Sequence, residues 1–122
     1  MKDFRKLSVW GKAHRVTLTV YHVTRVFPRD ERYGLTAQIR RSAASVGANI
    51  AEGCGRGGGP EFARFLRIAF GSACELEYHL ILAADLDLIS RQGHAELGNA
   101  LSEVKRMLAG LLRKLRVQKG EN

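Results

Sequence analysis

A run of glycines offers the first chemistry to weigh. Gly53-Cys-Gly-Arg-Gly-Gly58 matches the G-x-G-x-x-G spacing that lets a backbone approach a pyrophosphate. That use needs a strand before the glycines and a helix after them. Here a helical pattern precedes the run, and no acidic residue follows in a βαβ setting. Gly-Lys-Ser and Gly-Lys-Thr are absent, which excludes a P-loop. The glycines therefore read as a helix connection. A phosphate of RNA or DNA is still compatible with it, held by Arg56 and the helix start at Pro60-Glu61-Phe62.

Carboxylates, imidazoles and thiols come next. Helical bundles can hold two metal ions between Glu residues and Glu-x-x-His pairs. Glu75, Glu77 and His79 share one helical stretch but never take that spacing. His14, His22 and His94 are scattered, and Cys54 and Cys74 lack a C-x-x-C partner. Neither a metal nor a cofactor is expected. No Ser or Cys sits in a recognisable nucleophile motif, so no catalytic residue is assigned and the chain is expected not to be an enzyme. Asn49, Glu52 and Glu75 admit two readings. One is a catalytic carboxylate pair. The other, preferred because these positions fall on helical seams, is a buried hydrogen-bonded network with Arg40 or Arg41 as counter-charge.

Basic residues are the remaining resource. The 122 residues hold 20 Lys and Arg against 12 Asp and Glu, a net charge of +8. Arg64 and Arg67 share the face opposite one apolar stripe. Lys105, Arg106, Arg113 and Arg116 fall within about a third of a helix circumference. With Arg40, Arg41 and Arg56 they form the candidate set for a nucleic-acid backbone. The plainer reading of each is a solvated helix face. Few aromatics accompany these faces, so phosphate contacts, low sequence specificity and steep salt dependence are expected.

Four helices must position these groups. Apolar residues recur at 4-3-4-3 spacing in each of four segments, at about residues 8–26, 36–52, 60–88 and 94–117. The stripes begin at Val9, Leu35, Phe62 and Leu97. Phe27-Pro28 stops the first helix, because a residue before proline disfavours the helical region. Thr36 reads as an N-cap, Gly53 as a C′ glycine, and Pro60 suits a first turn. Ser90 to Gly93 read as a turn, and the tail from Gln118 to Asn122 is expected to fray. The second helix carries a polar seam of Gln38, Ser42, Ser45, Asn49 and Glu52, and a small-residue side of Ala37, Ala44, Ala48 and Ala51. Three such faces imply neighbours on more than one side. The architecture is all-α, an antiparallel up-down-up-down four-helix bundle of one domain with left-handed packing. No run of about 18 apolar residues occurs, so no membrane span is expected. The start lacks an apolar h-region, and two cysteines suit a reducing compartment, so the expected location is the cytoplasm.

Several of these residues together resemble a known family. They are Val9-Trp10, Phe27-Pro28, the run Tyr33 to Arg41, Ser45, Asn49-Ile-Ala-Glu-Gly53, Arg56, Phe62 to Leu66, Gly71-Ser72 and Glu75. The pattern is similar to the 23S rRNA intervening-sequence proteins and, more distantly, to the accessory variability proteins of diversity-generating retroelements. It extends from Phe4 to about Leu88. The resemblance implies a bundle that assembles into a ring, a homopentamer, with a basic surface used on nucleic acid in the retroelement branch. It implies no agreed biochemical activity for the intervening-sequence branch. Gly47 departs from the pattern, since proline is frequent there, and leaves the helix direction beyond it open. Two functions follow as expectations. One is a non-enzymatic oligomeric protein binding the RNA or DNA backbone. The alternative is an interaction scaffold recruiting an acidic or retroelement-linked protein such as a reverse transcriptase.

Overall fold

All four apolar stripes become helices. The computed structural model describes residues 3–118. Helix α1 spans Ser8–Val23, α2 Leu35–Cys54, α3 Gly59–Asp85 and α4 Arg91–Gln118. Each helix packs against its two neighbours in the cyclic order α1, α2, α3, α4. Pairs across α2 and α3 fix the antiparallel sense: Arg41 meets Glu75 while Ser45 meets Ser72. The striped residues fill the centre. Ile39, Ile50, Leu66, Leu76, Leu101 and Leu108 are all fully enclosed. Each such side chain contributes about 1.5–3 kcal/mol by leaving water.

The helix ends differ from the sequence expectation in instructive ways. Helix α1 was expected to reach Val26, but it tightens into a 3-10 turn at Thr24–Val26. Thr24 Oγ1 donates to the Val20 carbonyl at 2.8 Å, and Phe27 is extended before Pro28. Thr36 does not cap α2. It is buried inside the helix, and the Glu31 carboxylate accepts the Leu35 N–H instead, at 3.1 Å. The last turn of α3 stops at Asp85, short of Leu88. Asp87 takes a left-handed φ of 60°, its N–H reaches the Ala84 carbonyl, and the Leu88 N–H reaches that of Ala83. This is a Schellman end, with aspartate in the place glycine usually fills. Residues 91–93 belong to α4, because Ser90 Oγ accepts the Gly93 N–H at 2.9 Å and caps the helix. The tail expected to fray lies, beyond Gln118, outside the described residues.

Gly53 is the largest correction. It lies within α2, buried, rather than just past its end. A Cβ there would stand 2.9 Å from Phe65 Cβ and 3.1 Å from Phe62 Cδ1. The glycine therefore serves the close approach of α2 to α3. Gly47 does not interrupt α2 either. It faces the Trp10 indole, whose Nε1 would lie 3.5 Å from an added Cβ, so this glycine seats the tryptophan of α1. The small-residue side of α2 is exposed at Ala37, Ala44 and Ala48.

Candidate nucleic-acid interface

Opposite charges within the chain neutralise much of the candidate basic set. Arg41 Nη2 donates to Glu75 Oε2 at 2.7 Å and to Gln38 Oε1 at 2.6 Å. Arg56, in the turn after α2, pairs back to Glu52 in the last turn of that helix at 3.1 Å. Arg64 pairs with Glu61 at 3.1 Å, and its guanidinium lies over the Phe65 ring. Lys105 reaches from α4 to Glu77 of α3 at 2.9 Å. Arg40 points elsewhere: its Nε donates to Thr24 Oγ1 at 2.8 Å while its guanidinium covers the Tyr21 ring.

Local electrostatics follow these pairs. The hydrogen bond from Arg64 holds the Glu61 carboxyl below its ordinary range, helped by the positive charge of Arg64 and Arg56. Lys12 does the same to Glu103, first through its hydrogen bond and then through its charge, with Arg106 and Arg15 adding smaller attractions. The bond to Glu77 raises the Lys105 ammonium. The lowered Glu61 and Glu103 carboxyls stay ionised at neutral pH beside Arg64 and Lys12.

Arg67, Arg106, Arg113 and Arg116 are different. All four are exposed, and among the described residues none forms an ion pair with a carboxylate. Three of them flank one groove between α3 and α4. Arg67 stands on the α3 side, Arg113 and Arg116 on the α4 side, and Phe70, Ala109 and Leu112 form the floor. The groove measures about 290 Å³.

Charge is also unevenly distributed along the bundle. One pole gathers the starts of α1 and α3 and the ends of α2 and α4. Among the described residues it carries Arg5, Lys6, Arg56, Arg64, Arg67, Arg113, Lys114 and Arg116, and its acids Asp3, Glu52 and Glu61 are each paired. The other pole mixes Arg25, Arg29, Arg32 and Arg91 with Asp30, Glu31, Asp85, Asp87 and Glu96. Lys114 and the apolar floor were not among the sequence candidates. Their signal was present in the i, i+3 and i, i+4 spacing of Ala109, Leu112, Arg113 and Arg116.

The polar network of Asn49, Glu52 and Glu75 does not form as a unit. Asn49 Nδ2 donates to the Ser45 carbonyl and to Ser45 Oγ, within its own helix. Ser45 Oγ then meets Ser72 Oγ at 2.8 Å, a link across α2 and α3 beside that of Arg41 and Glu75. Glu52 stands on the surface with Arg56, and Glu75 with Arg41. Heptad-like spacing placed them on one seam, but the side chains reach outward to separate partners. Asn49 is half-buried and adds no bond between helices. Asn49→Ala is thus expected to change stability by no more than about 0.5 kcal/mol, because lost local bonds offset better helix propensity. Thermal or denaturant unfolding checks this; a loss above about 2 kcal/mol would restore the buried network.

Among the described residues, no three His, Cys, Asp or Glu side chains converge as metal ligands. No helix there is long and apolar enough to cross a membrane. The bundle is similar to a crystal structure from Bacteroides thetaiotaomicron of a protein of unknown function in the S23 ribosomal protein family. That likeness has a TM-score of 0.77 and 26% identity, covering 85% of this chain and 97% of that one. No curated protein is significantly similar. The family model for the 23S rRNA-intervening sequence protein matches residues 5–110, from the start of the described fold through most of α4. With the four helices in place and that span matched, the chain belongs to the 23S rRNA-intervening sequence protein family.

Proposed function

We propose that the protein is a non-enzymatic, oligomeric helical bundle that binds the backbone of RNA or DNA through its basic pole. The observation that carries this reading is the segregation of charge. Among the described residues, Arg67, Arg113, Lys114 and Arg116, where α3 begins and α4 ends, have no unpaired acid beside them, while Arg25, Arg29, Arg32 and Arg91 at the opposite pole stand among five acids. A solvated surface chosen only for solubility has no need of such separation. An anionic polymer is the partner that a one-sided, unpaired arginine cluster attracts.

Assembly supports the same reading. The exposed Ala37, Ala44 and Ala48 face of α2 allows close approach of another helix. Family resemblance points to a ring of five. A ring repeats each modest basic patch, so weak contacts combine into useful affinity. Light scattering of the purified chain tests assembly, and titration with labelled RNA and DNA at low salt tests binding. Saturable binding by a multimer is expected. A monomer, or a multimer that binds neither polymer, contradicts the proposal. Capture from a nuclease-treated extract separates the alternative: protein partners that survive nuclease, with no direct nucleic-acid binding, favour a scaffold.

A further inference from the structure

From the α3–α4 groove we infer that the preferred ligand is an unpaired strand, seated between Arg67, Arg113 and Arg116. This rests on the proposed binding of nucleic acid and names the form that is bound. Two properties of the groove carry it. First, its rim is cationic on both sides, with Arg67 facing the Arg113 and Arg116 pair across the cleft. Among the described residues none of the three forms an ion pair with a carboxylate, unlike Arg64 and Lys105 beside them. Second, its floor is apolar: Phe70, Ala109 and Leu112 are half-buried and still meet solvent.

These properties discriminate between ligand forms. A duplex presents phosphates outside and keeps its bases stacked and paired within, so it would touch the rim and leave the floor wet. An unpaired strand can offer phosphates to the rim and lay ribose and base surface on the floor. Neighbouring helix axes lie about 8–10 Å apart, which suits one strand and is too narrow for a duplex to enter. Phe70 is not a free stacking platform, because Lys105 Nζ lies 5.7 Å from its ring centre. Contact with the floor is therefore general apolar cover, and little base preference is expected. Arg67, Phe70 and Ala109 lie within the span matched by the family model, and Leu112, Arg113 and Arg116 lie beyond it.

The test is anisotropy titration of the full chain at low salt with an oligouridylate of about 15 nucleotides, long enough to run the length of the groove. Parallel arms use the matching oligodeoxynucleotide and the duplex formed with its complement. The unpaired strands should bind about tenfold more tightly than the duplex. The exposed pair Arg67→Ala and Arg113→Ala, made together, should weaken strand binding about tenfold or more. Arg25→Ala with Arg29→Ala, at the opposite pole, should change it less than about threefold. Equal affinity for strand and duplex overturns the inference, and so does an unchanged Arg67, Arg113 double variant. If wild type binds neither form, the proposed function fails with it; binding without strand preference sinks the groove assignment alone.

Discussion

Gly53→Val is expected to lower stability by about 2–3 kcal/mol, a drop of roughly 10 °C in Tm. Two effects compete at this position. Replacing a helical glycine relieves backbone entropy, a gain of up to about 1 kcal/mol with alanine and less with a β-branched residue. Against this stands the contact between α2 and α3. The new Cβ would approach Phe65 Cβ to 2.9 Å, and a Cβ is tied to its backbone. No rotamer change can clear it, so one helix must move and the packing of Phe62 and Phe65 must loosen. The clash outweighs the propensity gain. Gly71→Ala provides the opposite sign in the same assay. Gly71 is exposed within α3, and an added Cβ meets nothing within 4 Å. That variant should be stabilised by about 0.5–1 kcal/mol. A neutral Gly53→Val protein would mean that α2 and α3 do not meet closely there.

The second large effect is the response of binding to salt. Each phosphate neutralised on a single strand contributes about −0.7 to the slope of log affinity against log salt. Three free arginines in one groove give a slope near −2. Raising salt from about 50 to about 200 mM should then weaken binding roughly twentyfold per groove, and more if several subunits engage one strand. Paired cations contribute less, because the carboxylate beside Arg64 or Lys105 already offsets part of its charge. A slope near zero would show that binding does not run through phosphates.

Much of the fold was legible because burial follows the 3.6-residue period. Val9, Ile39, Leu66 and Leu101 all fell on stripes and all lie in the core. Helix ends were less legible because one residue type serves several purposes. A glycine after an apolar stripe signals a C-cap, yet Gly53 is needed for close approach. Asp87 ends α3 in a conformation that usually announces itself with glycine. Ser90 has the hydroxyl of an N-cap but sits where the stripe of α4 has not yet begun.

Legibility of the site divides in the same way. The pairs Glu52–Arg56 and Glu61–Arg64 were visible as i, i+4 and i, i+3 spacings. Arg41–Glu75 and Lys105–Glu77 depend on the register between helices, which no single stripe specifies. Counting cations therefore overstated the site. Subtracting those already paired leaves Arg67, Arg106, Arg113 and Arg116, together with Arg40, which is held by Thr24, and the α3–α4 groove brings Arg67, Arg113 and Arg116 together.

Photocrosslinking tests most directly where the polymer sits. The chain, bound at low salt to an RNA carrying a photoreactive uridine, would be irradiated, digested and its crosslinked peptides identified by mass. Crosslinks concentrated in the first half of α3 and the last half of α4 are predicted. Crosslinks confined to residues 24–34 and the start of α4, at the mixed pole, would contradict the account.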